Sequence, residues 1–282
     1  MTSFGARLGA VVADRGPLCV GIDPHAQLLA DWGLPDSAAG VRDFGLRVVD
    51  AASARVGVVK PQVAFFERFG SAGFAALEEV LAAARAAGLV VIADAKRGDI
   101  GSTMHGYASA WLSAGSPLEA DALTVSPYLG GESLRATAET AVRAGKGLFV
   151  LAATSNPEAH ALQSAHSTDE AAGGGETVAA RVARDVSRMN GSGEGLGSIG
   201  LVVGATIDRH AVGLSDEVLD RAPLLAPGFG AQGARLADGP RLFGAVLPQV
   251  IPNVSRSVLG AGPDGIAAAI DAAAAEVASW QR

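Results

Sequence analysis

The chain has 282 residues, 49% of them hydrophobic, enough to bury the core of one large α/β domain or two small ones. A net charge of −7, with no long run of Lys or Arg, argues against a nucleic-acid or anionic-lipid partner. The N-terminus has no basic stretch leading into a long apolar core, and no apolar run approaches the roughly 18 residues that span a bilayer, so the expected location is the cytoplasm.

In chain order, "ARLGAVVA" near the N-terminus predicts a short helix capping the bottom of the fold. Eight apolar runs rich in Val, Ile and Leu then predict strands: "PLCVGID" (17–23), "RVGVVK" (55–60), "GLVVIAD" (88–94), "DALTVS" (121–126), "GLFVLAATS" (147–155), "IGLVVGAT" (199–206), "PLLAPGF" (223–229) and "QVIPNVSR" (249–256). Most are too continuously apolar for half-exposed antiparallel strands and fit a parallel sheet buried on both faces. Ala-rich segments with helical spacing, such as "FAALEEVLAAARAAG" and "TVAARVARDVSRMN", lie between them, so a helix is expected after each strand. "GIAAAIDAAAAEVASWQR" supplies the last. Eight such units predict a (β/α)8 barrel in a single domain, with a doubly wound open sheet as the alternative. Residues 157–198, with "STDEAAGGGE" and "NGSGEGLGS" around a single helix, are expected to form a flexible insertion and are a candidate lid. The lone cysteine, Cys19, sits in an apolar run and is expected to pack as an inert thiol.

In such barrels the chemistry gathers at the C-terminal ends of the strands. Those ends carry Asp23, Lys60, Asp94 with Lys96, Ser126, Thr154 with Ser155, Thr206, Gly228 and Arg256. Asp94 and Lys96 stand two apart in an extended segment and share a face. With Val91 and Ala93 turned to the helices, that face is the barrel axis, where Lys60 on the neighbouring strand can join them. A salt-bridge network closing the mouth is one reading. Against it, buried ion pairs seldom repay their desolvation, and a charged substrate explains them better.

"PGFGAQGA" (227–234) matches G-x-G-x-x-G through Gly228, Gly230 and Gly233, yet too little chain follows it for a dinucleotide domain. After a seventh strand the same glycines suit a turn whose backbone N–H groups receive a phosphate. Gln232 and Arg256 can add an amide and a bidentate guanidinium. The five histidines show no metal-ligand spacing and are expected to be structural or solvated, His25 beside the mouth being the exception to watch. No metal or cofactor is expected.

"DAKRGDIGST" (94–103), "GID" on strand 1, a Lys ending strand 2, "PGFGAQG" after strand 7 and "SR" on strand 8 together resemble the orotidine 5′-phosphate decarboxylases, and more narrowly their longer bacterial branch. The resemblance spans residues 17 to about 260. It implies cofactor-free conversion of orotidine 5′-phosphate to UMP in pyrimidine biosynthesis, by a homodimer with shared active sites. It also implies an alternating array of Lys60, Asp94, Lys96 and Asp99. Lys96 would protonate C6, Asp94 would lie beside the substrate carboxylate, and Asp99 would enter the partner's site. Asp23, Lys60 and Thr103 would serve the ribose, Ser155 the pyrimidine edge, and Gln232 and Arg256 the 5′-phosphate. Arg97-Gly98, Gly101-Ser102 and "SPYLGG" depart from the shorter family members and leave the four charges intact. Three alternatives stay open at this point: a Mg2+-dependent sugar-phosphate decarboxylase or synthase of related fold, a Schiff-base aldolase using Lys96, and a catalytically silent phosphate-binding barrel.

Overall fold

The computed structural model describes residues 2–168 and 174–281. All eight expected strands form, as β1 (Cys19–Ile22), β2 (Val58–Pro61), β3 (Val90–Arg97), β4 (Ala122–Val125), β5 (Gly147–Ala153), β6 (Ile199–Val203), β7 (Leu224–Ala226) and β8 (Val250–Val254). They pair in parallel in chain order, and β8 closes on β1 through Cys19 opposite Asn253. The open-sheet alternative is thereby excluded.

Around the barrel run α1 (Phe4–Arg15), α2 (Ala26–Asp31), α3 (Ala38–Ser53), α4 (Ala64–Glu67), α5 (Gly70–Ala86), α6 (Gly101–Leu112), α7 (Arg135–Arg143), α8 (Ala159–Gln163), α9 (Val178–Asn190), α10 (Gly239–Phe243), α11 (Arg256–Leu259) and α12 (Gly262–Ala278). One expected helix is missing. Between β6 and β7 the chain makes only turns. Asp208 accepts hydrogen bonds from the backbone of His210 and Ala211, and Gly213 sits at φ 77°. The buried Arg209 holds this connection together, bonding the carbonyls of Leu214 and Phe243 and pairing with Asp216. Among the described residues, the 157–198 segment holds two α-helices where a single helix was expected, because "AHALQ" forms α8. Residues 169–173 of the expected flexible insertion lie outside the described residues. Its second Gly-rich stretch is tied down by Arg221, which bonds the carbonyls of Gly191 and Gly195.

Alternation along the strands builds two cores. Val20, Val59, Val91, Ala93, Leu123 and Val150 face outward to the helices. Cys19, Val58, Val90, Ile92, Ala122, Phe149, Val202, Leu225 and Ile251 fill the barrel itself. α1 seals the bottom as expected. Phe4, fully buried, meets the Phe149 ring edge-to-face at 6.1 Å, and Arg7 pairs with Asp121 at 2.8 Å.

Candidate active site

Two residues beyond each interior apolar residue, the same strand face reaches the barrel mouth, and there the chain changes from apolar to polar. Val58 is followed by Lys60, Ile92 by Asp94, Ala122 by Thr124 and Ile251 by Asn253. β5, β6 and β7 instead keep Leu151, Val202 and Leu225 at the mouth. The resulting cavity of about 300 Å³ therefore has one charged wall and one apolar wall.

Asp94 is the hub of the charged wall. Lys60 Nζ lies 2.7 Å from its Oδ2 and Lys96 Nζ 2.6 Å from its Oδ1. The Thr124 hydroxyl donates to Oδ1 at 3.0 Å, and the Gln62 amide donates to Oδ2 while accepting from Lys96 Nζ at 3.2 Å. Burial alone would push the Asp94 carboxyl up, but the two ammonium groups outweigh it and hold the pKa down at about 2. Burial likewise opposes the charge on Lys60, and there Asp94 and Asp23 win, raising it above the ordinary lysine value. The two lysines differ in access: the Lys60 side chain is 6% exposed and the Lys96 side chain 45%. Lys96 is thus the more accessible of the two ammonium groups lining the cavity. Cys19, one layer below, is buried and its thiol pushed up to about 12, which fits an inert packed group.

Lys96 reaches this position through an unusual backbone. Its φ is 48°, in the left-handed region that a non-glycine residue seldom adopts, and the β3–β4 register shifts between Ala93 and Arg97. Its N–H donates to Thr124 Oγ1 at 2.9 Å. One buried hydroxyl therefore holds both the Lys96 backbone and the Asp94 carboxylate.

At the other end of the cavity lie Gly228, Gln232 and Arg256. The loop after β7 closes on itself, Gly230 N–H bonding the Ala234 carbonyl at 2.8 Å and Ala234 N–H the Gly228 carbonyl at 3.2 Å. Those two N–H groups are therefore taken up within the turn, while the side chains of Gln232 and Arg256 line the cavity. Ser155 donates to Gln232 Oε1 at 3.3 Å across the mouth. Asp23 also lines the cavity, and its buried Oδ1 has no hydrogen-bond partner among the described residues.

Of the expected residues, Asp23, Lys60, Asp94, Lys96, Ser155, Gly228, Gln232 and Arg256 converge on this one cavity. Asp99, half-buried, takes the Ile100 N–H at 2.8 Å, and Thr103 is exposed in the first turn of α6; neither lines it. Gly230 is also outside it: a Cβ there would meet Ser257 at 2.7 Å, and its φ of 76° serves the turn. His25 packs its ring on Phe65, and burial lowers its pKa, as a structural histidine would show. Among the described residues no group of three His, Cys, Asp or Glu is placed to hold a metal ion. Sequence reasoning missed Gln62, Thr124 and Asn253, although extending each strand's alternation by one more step points to all three.

A closed parallel barrel with charges gathered at its C-terminal mouth defines the class, a (β/α)8-barrel enzyme. The sequence profile described as the orotidine 5′-phosphate decarboxylase / HUMPS family matches residues 16–271. The chain is 54% identical to the orotidine 5′-phosphate decarboxylase of Salinispora arenicola, over 98% of this chain and 96% of that one. It is also 54% identical to that of Streptomyces coelicolor, over 94% and 92% of the two chains. Among solved structures, the Leishmania donovani OMP decarboxylase superposes with a TM-score of 0.76 at 32% identity, covering 99% of each chain. A Streptomyces avermitilis protein provisionally described as an orotidine 5′-phosphate decarboxylase superposes at 0.92 with 54% identity, covering 99% of this chain and 96% of that one. The chain belongs to the orotidine 5′-phosphate decarboxylase / HUMPS family.

Proposed function

We propose that this cavity decarboxylates orotidine 5′-phosphate to UMP, in the cytoplasm and without a metal or organic cofactor. The observation that carries the reading is the Lys60–Asp94–Lys96 array, with the more exposed Lys96 facing an apolar wall and a Gln–Arg pair at the far end.

Breaking the C6–carboxylate bond releases CO2 and leaves its electron pair in an sp2 orbital that the pyrimidine ring delocalises poorly. The charge must be stabilised where it forms and then quenched. The Lys96 ammonium, fixed by Asp94 and Gln62, places a positive charge at C6 and then gives C6 its proton, which Lys96 regains from solvent. Asp94 pairs with both lysines and lies beside the substrate carboxylate. Leu151, Val202 and Leu225 exclude water from the face where CO2 and the uncharged pyrimidine ring form. Asp23 and Lys60, both lining the cavity, take ribose hydroxyls. Gln232 and Arg256 take the phosphate, whose binding energy orients the reacting base.

The Mg2+-dependent alternative is disfavoured because members of that group resemble one another in ending strand 2 with an acidic metal ligand. Here Lys60 stands there, buried and charged. Schiff-base chemistry wants a free amine, whereas the Lys96 Nζ is engaged in an ion pair with Asp94 at 2.6 Å.

A homodimer completes the site, with Asp99 and Thr103 supplied across the interface. Exposed Ile100, Tyr128 and Leu129 beside the mouth support such a contact. The deciding experiment follows orotidine 5′-phosphate absorbance with purified protein in EDTA, alongside Lys96→Ala. Rapid decay that vanishes in the variant is expected. No decay in the wild type would redirect the search to sugar phosphates with Mg2+.

A further inference from the structure

The loop after β5 is held by a residue outside the catalytic cavity. Thr154, the first residue past that strand, donates its N–H to Gln163 Oε1 at 2.9 Å, and Gln163 Nε2 donates back to Thr154 Oγ1 at 3.0 Å. The Thr154 hydroxyl in turn donates to Asn156 Oδ1 at 2.8 Å. One carboxamide, at the end of the short helix α8, thus closes the 154–163 segment into a fixed loop, because its oxygen accepts while its nitrogen donates. Ser155, the next residue, donates to Gln232 Oε1 at 3.3 Å, linking that loop to the one after β7 across 77 positions of sequence. Thr154 lines the catalytic cavity; Gln163 does not, facing instead a neighbouring, mainly apolar cavity of about 590 Å³ that Thr154 also borders.

We propose that Gln163 is a positioning residue for phosphate-bearing substrate: by fixing the backbone at Thr154 it sets Ser155 to meet Gln232, and so brings the two loops together over the phosphate end of the cavity. The inference rests on the decarboxylase reading of that cavity. Its physical basis is that the Ser155–Gln232 contact joins two exposed side chains on loops, where the geometry must come from whatever anchors the loops. On the β7 side the anchor is the closed Gly228–Ala234 turn. On the β5 side it is Gln163.

The test compares full-length wild type, Gln163→Met and Gln163→Glu on orotidine 5′-phosphate and, at high enzyme concentration, on orotidine. Gln163→Met matches the volume and leaves the Thr154 N–H without its acceptor. It is expected to lower kcat/KM for the phosphorylated substrate about tenfold and to change orotidine turnover less than about twofold. Gln163→Glu keeps the acceptor and should fall between, preserving the test should the methionine variant fail to fold. Combined with Gln232→Ala, Gln163→Met should cost no further activity, since both changes remove the same contact. Equal losses on the two substrates, no loss on either, or multiplying losses in the double variant would overturn the proposal. A wild type inactive on orotidine 5′-phosphate would instead overturn the decarboxylase reading, and this inference with it.

Discussion

At the scale of single residues, the site is decided by which groups compensate a buried carboxylate. Asp94, with its pKa held at about 2, contributes stability that is fully present above the ordinary carboxylate range near about 4 and is lost as pH falls through about 2. Lys60, raised above its ordinary value, contributes stability that is present below about 10.4 and lost only as pH rises beyond it. The stability gap between wild type and Asp94→Asn should therefore be flat from pH 5 to 9 at about 3–5 kcal/mol, the cost of leaving a buried ammonium without its partner, and shrink below about pH 4. Urea unfolding across that range checks it; a gap already shrinking between pH 7 and 5 would contradict it. Thr124 tests the array differently, since its hydroxyl serves the Lys96 backbone and Asp94 together. Thr124→Val should lower kcat about tenfold with KM nearly unchanged, and Thr124→Ser should restore it, because only the hydroxyl matters. Steady-state kinetics of the two variants decide, and an unchanged kcat in the valine variant would remove Thr124 from the site.

At the scale of elements, the barrel needs a plug as well as strands. The ring of Phe4 fills the space over Gly147, where a Cβ would come within 2.3 Å of it, and packs on Phe149. α1 is tied further by Arg7, which also bonds the Gly145 carbonyl at 2.9 Å. Phe4→Ala should cost about 3–5 kcal/mol, measured by urea unfolding, since the void opens against strands that cannot collapse into it. A loss under about 1 kcal/mol would mean that α1 is not part of the cooperative core. The helix-free connection after β6 makes the complementary point: a buried arginine with backbone partners can cover a strand where a helix was expected.

At the scale of the whole molecule, a single chain assembles eight of the expected site residues and leaves Asp99 and Thr103 outside the cavity. If a second copy supplies them, Lys96→Ala and Asp99→Ala subunits, each inactive as a homodimer, should regain activity on mixing and refolding. About half the sites of every mixed dimer would then carry both intact residues. Activity no greater than that of the separate variants would place Asp99 in its own chain's chemistry or in none.

Much of this protein is legible from local chemistry. Continuous Val, Ile and Leu runs marked eight buried parallel strands because a strand apolar on both faces needs cover on both. Lys60, Asp94 and Lys96 stood out because charges rarely end such strands without a partner. Other features depend on contacts between distant segments. Alternation puts Thr124 and Gln62 on the inward face, but their partners come from β4 lying beside the shifted end of β3 and from the Gln62 bridge to Asp94. Gly230 was separated from Gly228 by packing against Ser257, although both satisfy one sequence motif. The left-handed backbone at Lys96 and the clasp of Gln163 on Thr154 are likewise tertiary. Alternation and composition assign a residue to a face, but the neighbour it meets there is set by strand register and loop closure, which no single segment encodes.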